Sequence, residues 1–383
     1  MRNKFPFIPF IPFAIGGFNI NYSFIFYLFR YPVYSFRNQP VFFHLFILQA
    51  LLSLFISIIF INPINSDIHA QLISFFSYLS VGFLLIIKLP YDVEDIFLGL
   101  KYVAFIYSFY ACIIFGINPD FNFINFAYAK LAMSNYVPGW PQRFTLMICL
   151  SLIHTISIIK KSKFDFISIL IMSSCLIITF TRSIYLSILF PIFMIATKSY
   201  YKSIFIFIKN LRLKLSFFLI PLSIIASILL FTDTENSFFI LINNVFILFK
   251  DFLSGNSNIQ IGSGGSSEGE RLFRWIEAFK IFVQYPLFGT GFRGIYQFSE
   301  MGSIHSQYFD VLMRTGLTGM AVHVYLLYNI YNNYHRKYYF ILPFIICILI
   351  FGIFNESVKQ IFVAYLIFML NNKSVINNSM KIK

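Results

Sequence analysis

Long runs of apolar residues recur along most of the chain, and short polar segments separate them. A helix needs about 20 apolar residues to cross a hydrocarbon core about 30 Å thick. The runs are continuous rather than alternating, which favours helices, because a helix satisfies its own backbone hydrogen bonds in lipid. The pattern predicts about eleven spans, at approximately residues 7–29, 41–61, 68–87, 96–117, 143–159, 164–181, 183–197, 215–231, 309–331, 338–353 and 358–370.

The composition supports a protein that lies in the membrane. Hydrophobic residues make up 58% of the 383 positions, charged residues make up 11%, and the mean hydropathy is +0.76. A soluble globule of this length must cover its surface with polar side chains, and this chain has too few of them. We therefore predict an all-α polytopic integral membrane protein with about 11–12 transmembrane helices and a large outward loop that contains an amphipathic helix.

Basic residues between the spans predict the orientation of the chain, because lysine and arginine concentrate on the cytoplasmic side. Four basic segments fall on one side if the spans are correct, and that side is predicted to be the cytoplasm. The turn at Arg182, the segment 118–142 and the loop 232–307 then face outward. The four basic segments are 160–163, 198–214, 335–337 and the tail from Lys373 to Lys383.

The amino terminus does not fit this orientation. An odd number of spans places Arg2 and Lys4 outside, against the rule. Two explanations stay open: the proline-containing segment at 7–29 is not a simple crossing, or the count of helices is wrong by one. The pattern divides the chain into N-terminal transmembrane helices at 1–231, an outward loop at 232–308, and C-terminal transmembrane helices with a cytoplasmic tail at 309–383.

The net charge of +14 also has a membrane explanation. Most of the excess lies in loops predicted to be cytoplasmic, where anionic headgroups favour it, so no nucleic-acid partner is predicted. The four cysteines lie singly within spans, without the spacing of a metal or redox site, and we predict that they are core residues. The outward segments contain no Asp-x-Asp and no cluster of histidine and carboxylate residues. We therefore predict neither a metal nor a cofactor.

The segment from Arg271 to Gly319 stands out because it collects arginines, glycines and a histidine in a chain with few charges. Ser267 and Glu270 have the spacing of a capping box, and Pro286 marks a helix end, so a helix of about fourteen residues is predicted between them. Its polar stripe is narrow and its aromatic face is broad. Two placements stay open: along the outer leaflet, or packed on the tops of the bundle.

The run Gly289-Thr-Gly291-Phe-Arg-Gly294 matches the dinucleotide-binding fingerprint by letter. No strand precedes it and no parallel sheet is expected in this chain, so we reject that function. Glycines at this spacing instead predict a tight backbone turn beside a bound anion.

His305 lies just before the predicted span at 309–331. A histidine at a span end is more often an interfacial hydrogen-bonding residue than a catalytic one. The neighbouring arginines favour the catalytic role, since histidine can accept and release a proton near neutral pH and so activate a sugar hydroxyl.

His305-Ser306 is followed, after nine intervening residues, by Gly316-Leu-Thr-Gly319. This spacing resembles the signature of the O-antigen polymerase and O-antigen ligase family, the Wzy and WaaL proteins. Thr181-Arg182-Ser183 is similar to the family's Ser/Thr-Arg turn between two middle spans. The chain departs from the family at 141–145, where Arg143-Phe144 is retained and the Gly-x-Phe and Pro-Asn elements are missing. The residues that resemble the family's outer loop are Arg271, Trp275, Pro286, Gly289 and Gly291.

The resemblance implies a GT-C-like glycosyltransferase of the bacterial inner membrane whose site faces the periplasm. It implies undecaprenyl-diphosphate-linked glycans as donor and acceptor, membrane lipid, a chain-length regulator and a flippase as partners, and a metal-independent reaction that inverts the anomeric centre. His305 and Arg182 are the implied catalytic residues. Guanidinium groups bind phosphate oxygens bidentately, and the implied substrate-binding residues are Arg143, Arg271, Arg274, Arg293 and Arg314.

Within the family, a polymerase and a ligase differ in the acceptor, which is a second lipid-linked glycan or the lipid A core. The composition, with its 53 phenylalanines, is typical of the polymerases, so we prefer the polymerase and keep the ligase as the alternative. A polysaccharide flippase or other transporter is a second alternative, and it predicts ionisable residues at mid-membrane depth. A subunit without catalysis is a third, and it predicts that His305 tolerates substitution.

Overall fold

The computed structural model describes residues 29–33, 41–61, 67–118, 132–133, 136–137, 142–158, 162–179, 184–197, 267–299, 304–355 and 361–380. The predicted span at 215–231 lies outside these residues, and so does nearly all of the first predicted span, at 7–29. Two compact units divide the chain: Met1–Ile195 together with Trp275–Lys383, and Ala196–Arg274.

The described residues form helices, the 3-10 turns Phe83–Leu85 and Ile295–Gln297, and an isolated bridge between Val33 and Ile87. No strand occurs among them, which confirms the predicted all-α fold class. In chain order, the helices are α1 (Val41–Phe60), α2 (Ile68–Gly82), α3 (Val93–Ile117), α4 (Gln142–Ser157), α5 (Lys163–Ile178), α6 (Ile184–Thr197), α7 (Ser267–Gln284), α8 (Gln307–Tyr334), α9 (Ile341–Phe354), α10 (Ile361–Leu370) and α11 (Lys373–Met380).

Three of the described helices are long and apolar enough to cross a membrane, at Phe43–Phe60, Ile68–Leu85 and Val93–Ile117. They correspond to α1, α2 and α3. The other predicted spans that fall within the described residues also coincide with helices, namely α4, α5, α6, α8, α9 and α10. These helices agree with the predicted polytopic membrane protein, while the total of 11–12 spans stays a prediction.

Polar side chains mark where several helices begin. Each accepts a hydrogen bond from a backbone N–H that the first helical turn leaves unpaired. Helix α7 begins at Ser267 and ends at Gln284, two residues before Pro286, so the predicted helix is present, with 18 residues rather than about fourteen. The observed caps are Asp67 for α2, Asp92 with Asp95 for α3, and Ser162 with Asp165 for α5.

Contacts between helix ends define two opposite ends of the bundle in the first unit. At one end, the Asn372 Nδ2 donates to the Ile87 carbonyl at 2.8 Å, and the rings of Phe97 and Phe340 lie 4.8 Å apart. At the other end, the Ser306 Oγ donates to the Gly352 carbonyl at 3.5 Å. The basic turn at 335–337 and the start of α8 therefore lie at opposite ends of the bundle in this unit, while the orientation in the membrane stays a prediction.

A buried ion pair joins α3 to α5. The Lys101 Nζ lies 2.7 Å from the Asp165 Oδ1, and the two side chains are only 6% and 8% exposed. The other carboxylate oxygen of Asp165 accepts from the backbone N and the Oγ of Ser162. Lys101 lies about two turns from the start of α3. Asp165 therefore neutralises a charge that lies within the helix rather than in a loop.

Candidate functional site

Helix α8 is broken at Gly316, where φ is 66° and ψ is −163°. The break leaves backbone N–H and C=O groups on both sides of Gly316 without helical partners. A turn formed by residues 286–294 makes hydrogen bonds to these groups. Thr290 N donates to the Met313 carbonyl at 2.7 Å, and Phe292 N donates to the Arg314 carbonyl at 3.2 Å. Leu317 N and Thr318 N donate to the carbonyls of Pro286 and Leu287 at 2.8 and 3.1 Å. The turn at 286–294 and the residues around the break, 313–318, thus form one hydrogen-bonded unit, which we call the saddle.

The glycines of the saddle permit a close approach of backbones. Gly289 and Gly291 have φ values of 64° and 63°, in the left-handed region. A Cβ on Gly289 would lie 2.5 Å from the backbone nitrogen of Gly316, and a Cβ on Gly291 would overlap Ser57 of α1. The tight turn predicted from these glycines is present, and its partners are the backbone of α8 and the end of α1.

Polar side chains at the ends of α1 and α2 hold the saddle from the other side. The Ser53 Oγ donates to the Phe288 carbonyl at 2.6 Å. The Gln71 Nε2 donates to the Gly291 carbonyl at 2.7 Å and to the Ser57 Oγ at 2.9 Å. The Gln297 Nε2 donates to the Asp67 carbonyl at 2.8 Å. Sequence reasoning missed these residues, although Ser53 and Ser57 stand one helical turn apart in an apolar helix, which is a readable signal.

Arg293 extends from the saddle to the C-terminal end of α1. Its Nε donates to the Ser57 Oγ at 3.0 Å and its Nη2 approaches the Ser57 carbonyl at 3.5 Å. The residue is 6% exposed, and no carboxylate pairs with it among the residues that the structure describes. Burial lowers the pKa of its guanidinium, but a guanidinium stays charged at neutral pH. A positive charge therefore lies in the interior without a counter-charge in the described part of the chain.

Arg314 has a different environment. Its Nε donates to the Asp310 Oδ1 at 2.9 Å, and its Nη1 donates to the Phe292 carbonyl at 2.9 Å. Asp310 is buried, and it lies four residues before Arg314 on the same helix. This carboxylate neutralises Arg314 and directs it at the saddle. Sequence reasoning missed Asp310, and the acid-first spacing of four residues was the signal that could have found it.

His305 lies immediately before α8 and is half-buried, with φ at 55°. The residues on either side are buried: Ile304 is fully enclosed and Ser306 is 1% exposed. The Ser306 Oγ bonds to α9 rather than capping its own helix. The Trp275 Nε1 donates to the Ile304 carbonyl at 3.1 Å. His305 thus belongs to a short backbone segment whose neighbouring residues, Ile304 and Ser306, make hydrogen bonds to α7 and α9.

The other predicted site residues are less completely described. Arg182 lies outside the described residues, as do the side chains of Arg143 and Arg271, whose backbones belong to α4 and α7. Arg274 is half-buried and belongs to the second compact unit. The structure therefore brings Arg293 and Arg314 together on the saddle at the end of the bundle where α8 begins. In the described part of the chain, no group of three or more metal-ligating side chains is present.

Together these elements define a class: an all-helical membrane protein in which a glycine-rich turn with one arginine, Arg293, is hydrogen-bonded to a broken helix that carries a second, Arg314, and begins beside a histidine. The sequence of residues 167–324 matches the model of a protein family described as O-antigen ligase. This match confirms the resemblance to the O-antigen polymerase and ligase family, whose members are glycosyltransferase-like enzymes of O-antigen assembly. It does not separate a polymerase from a ligase. No curated protein matches the chain significantly.

Proposed function

We propose that this protein is a polymerase that joins oligosaccharide repeat units carried on undecaprenyl diphosphate, at the outer face of the bacterial inner membrane. The observation that carries the proposal is the saddle, which fixes Arg293 and Arg314 at the end of the bundle where His305 precedes α8. The family match over residues 167–324 supports the same chemistry, because it includes Arg182, the saddle and His305.

The reaction needs a base and a positive environment. His305 accepts the proton of an acceptor hydroxyl, whose oxygen attacks the anomeric carbon of the donor sugar. The bond from that carbon to the diphosphate oxygen breaks on the opposite face, and the electron pair leaves with undecaprenyl diphosphate. One glycosidic bond forms with inversion, and in this proposal guanidinium groups stabilise the charge of the departing diphosphate without a metal. Removing one preorganised group that is directed at the developing charge raises the activation free energy by about 3–4 kcal/mol.

The arginines divide this work according to their surroundings. Arg293 has no carboxylate partner in the described residues and is 6% exposed, so we assign it to attraction of the diphosphate through its charge. Arg314 is neutralised by Asp310, so its main task is to hold the saddle in place. The other candidates, Arg143, Arg182, Arg271 and Arg274, stay candidates on the sequence resemblance alone.

The ligase is the second candidate, and the family match over residues 167–324 is compatible with it as well. A ligase would use the same donor and the same residues, and the lipid A core would replace the second lipid-linked glycan as acceptor. Chain-length regulators and flippases are partners that both activities imply.

A deletion strain separates the two functions. Loss of a polymerase leaves lipopolysaccharide that carries a single repeat unit, and loss of a ligase leaves lipopolysaccharide that carries none. We expect the single repeat in the deletion strain, and a full ladder when the wild-type chain is supplied on a plasmid. Lipopolysaccharide without any repeat unit would favour the ligase, and an unchanged ladder in the deletion strain would exclude both.

A further inference from the structure

The backbone at His305 adopts a conformation that side chains other than glycine rarely favour. Its φ of 55° lies in the left-handed region, which is disfavoured for residues that carry a Cβ. A segment in such a conformation persists when its surroundings hold it. The direction of the imidazole follows from this backbone, because the Cα–Cβ bond turns with the peptide plane that precedes it.

Trp275 holds that peptide plane. Its indole Nε1–H donates to the carbonyl of Ile304, the residue directly before His305, at 3.1 Å. The indole ring also stacks on Phe309 in the first turn of α8, with centroids 5.5 Å apart and planes 19° apart. One side chain of α7 therefore touches both the residue that precedes His305 and the helix that follows it.

The contact between Trp275 and Ile304 lies in a small, separate hydrophobic cluster. Trp275 and Phe309 pack against buried residues that come from α7, the 3-10 turn at Ile295–Gln297, the segment before α8, and α8 itself. Because Ile304 is fully buried in the cluster, its carbonyl cannot turn to water if the indole N–H is lost. The buried members are Ala278, Ile281, Ile295, Ile304 and Met313.

We infer that Trp275 is a positioning residue for His305: its N–H fixes the Ile304–His305 peptide and so directs the imidazole at the acceptor hydroxyl. The inference rests on the proposed function and deepens it. General-base catalysis demands hydrogen-bond reach to the proton that is abstracted, and a displacement of about 1 Å can lower a rate by about 100-fold. Since the base acts in the transition state, misplacing it lowers kcat and leaves KM unchanged.

The test uses the full-length chain in proteoliposomes, with undecaprenyl-diphosphate-linked repeat units extracted from the deletion strain as substrate. Trp275→Phe removes the N–H and part of the ring. Replacing Trp275 with benzothienylalanine keeps the bicyclic shape and removes only the donor. We expect kcat to fall by about 10- to 100-fold in both variants, with KM within twofold of wild type. Phe282→Leu, on the same helix, is the control, and its turnover is expected to stay at the wild-type value.

Turnover is normalised to folded protein measured by size-exclusion chromatography. An unchanged kcat in the benzothienylalanine protein overturns the inference, even if Trp275→Phe folds poorly. An equal loss of kcat in Phe282→Leu also overturns it, because the effect would then belong to the helix rather than to the N–H. His305→Ala separates a failure of the proposed function from a failure of the inference. Full activity of His305→Ala contradicts the proposed function. Loss of activity in His305→Ala together with an unchanged kcat in the Trp275 variants contradicts the inference alone.

Discussion

Arg293 and Arg314 both belong to the saddle, and Arg314 donates to the carbonyl of Phe292, the residue directly before Arg293, but their surroundings differ. Arg314 has a carboxylate at 2.9 Å, so its charge is balanced within α8. Arg293 has serine and carbonyl partners at the end of α1, so no carboxylate among the described residues balances its charge, and the proposed function assigns that charge to the diphosphate. From the sequence the two residues were equivalent candidates, because their difference depends on which side chains the fold places beside each one.

Removing the charge of Arg293 should reduce chain extension without unfolding the protein. We expect Arg293→Met to lower turnover by about 100-fold or more, since a fixed charge near the departing diphosphate is lost. Arg293→Lys keeps the charge and should retain a larger share of the activity. Turnover of repeat units in proteoliposomes, per folded molecule, is the measurement.

Ser57→Ala is the matched control for Arg293, because it removes the hydrogen bonds that the Ser57 Oγ accepts from Arg293 and Gln71 and leaves the guanidinium in place. A modest loss is expected, of about 1 kcal/mol for each hydrogen bond. If Ser57→Ala and Arg293→Met lost turnover equally, Arg293 would serve only to dock the saddle.

At the scale of elements, the saddle explains why a helix can be broken inside a membrane protein. Four backbone hydrogen bonds from the turn at 286–294 replace those that the break at Gly316 removes. Unpaired backbone groups are costly in a water-poor environment, and broken helices are tolerated where a neighbouring segment pairs them. The turn was predictable from its glycines. Its partner was not, because the pairing of a turn with a helix break depends on contacts that no local pattern encodes.

Substituting Gly316 tests the saddle. Gly316→Ala places a Cβ against the Leu287 carbonyl, at a φ of 66° that alanine disfavours. We expect a loss of stability of about 1–3 kcal/mol, together with reduced turnover because Arg314 moves with the break. The midpoint of thermal unfolding in detergent is the measurement.

Gly116→Ala on α3 is the control for this experiment, since nothing lies within 4 Å of a Cβ there. Alanine in a helix is favoured over glycine by about 0.5–1 kcal/mol, so this variant should be as stable as wild type or more so. An unfolding midpoint for Gly316→Ala equal to that of Gly116→Ala would show that the break does not need glycine.

At the scale of the whole molecule, most of the described architecture followed from hydrophobic run lengths. Each predicted span within the described residues is a helix, and α7 ends before Pro286 as expected. The buried Lys101–Asp165 pair was not predicted, because neither residue carries a local sign of its partner 64 positions away. The same holds for the bonds from Ser53 and Gln71 to the saddle, which join parts of the chain more than 200 residues apart.

The orientation of the whole chain can be tested by labelling. Gln284 at the end of α7 and Arg336 beyond α8 are both exposed and belong to opposite ends of the bundle. A membrane-impermeant maleimide, applied to cells with a permeabilised outer membrane, should label Gln284→Cys and leave Arg336→Cys unlabelled until the inner membrane is opened. Labelling of Arg336→Cys alone would place His305 in the cytoplasm, on the wrong side for the proposed reaction.

The most direct test of glycan transfer is reconstitution of the purified protein with extracted lipid-linked repeat units. Wild-type protein should convert them into a ladder of longer chains and release undecaprenyl diphosphate. His305→Ala, at equal amounts of folded protein, should yield neither product. A ladder from His305→Ala that matches the wild-type ladder in length and rate would contradict the account.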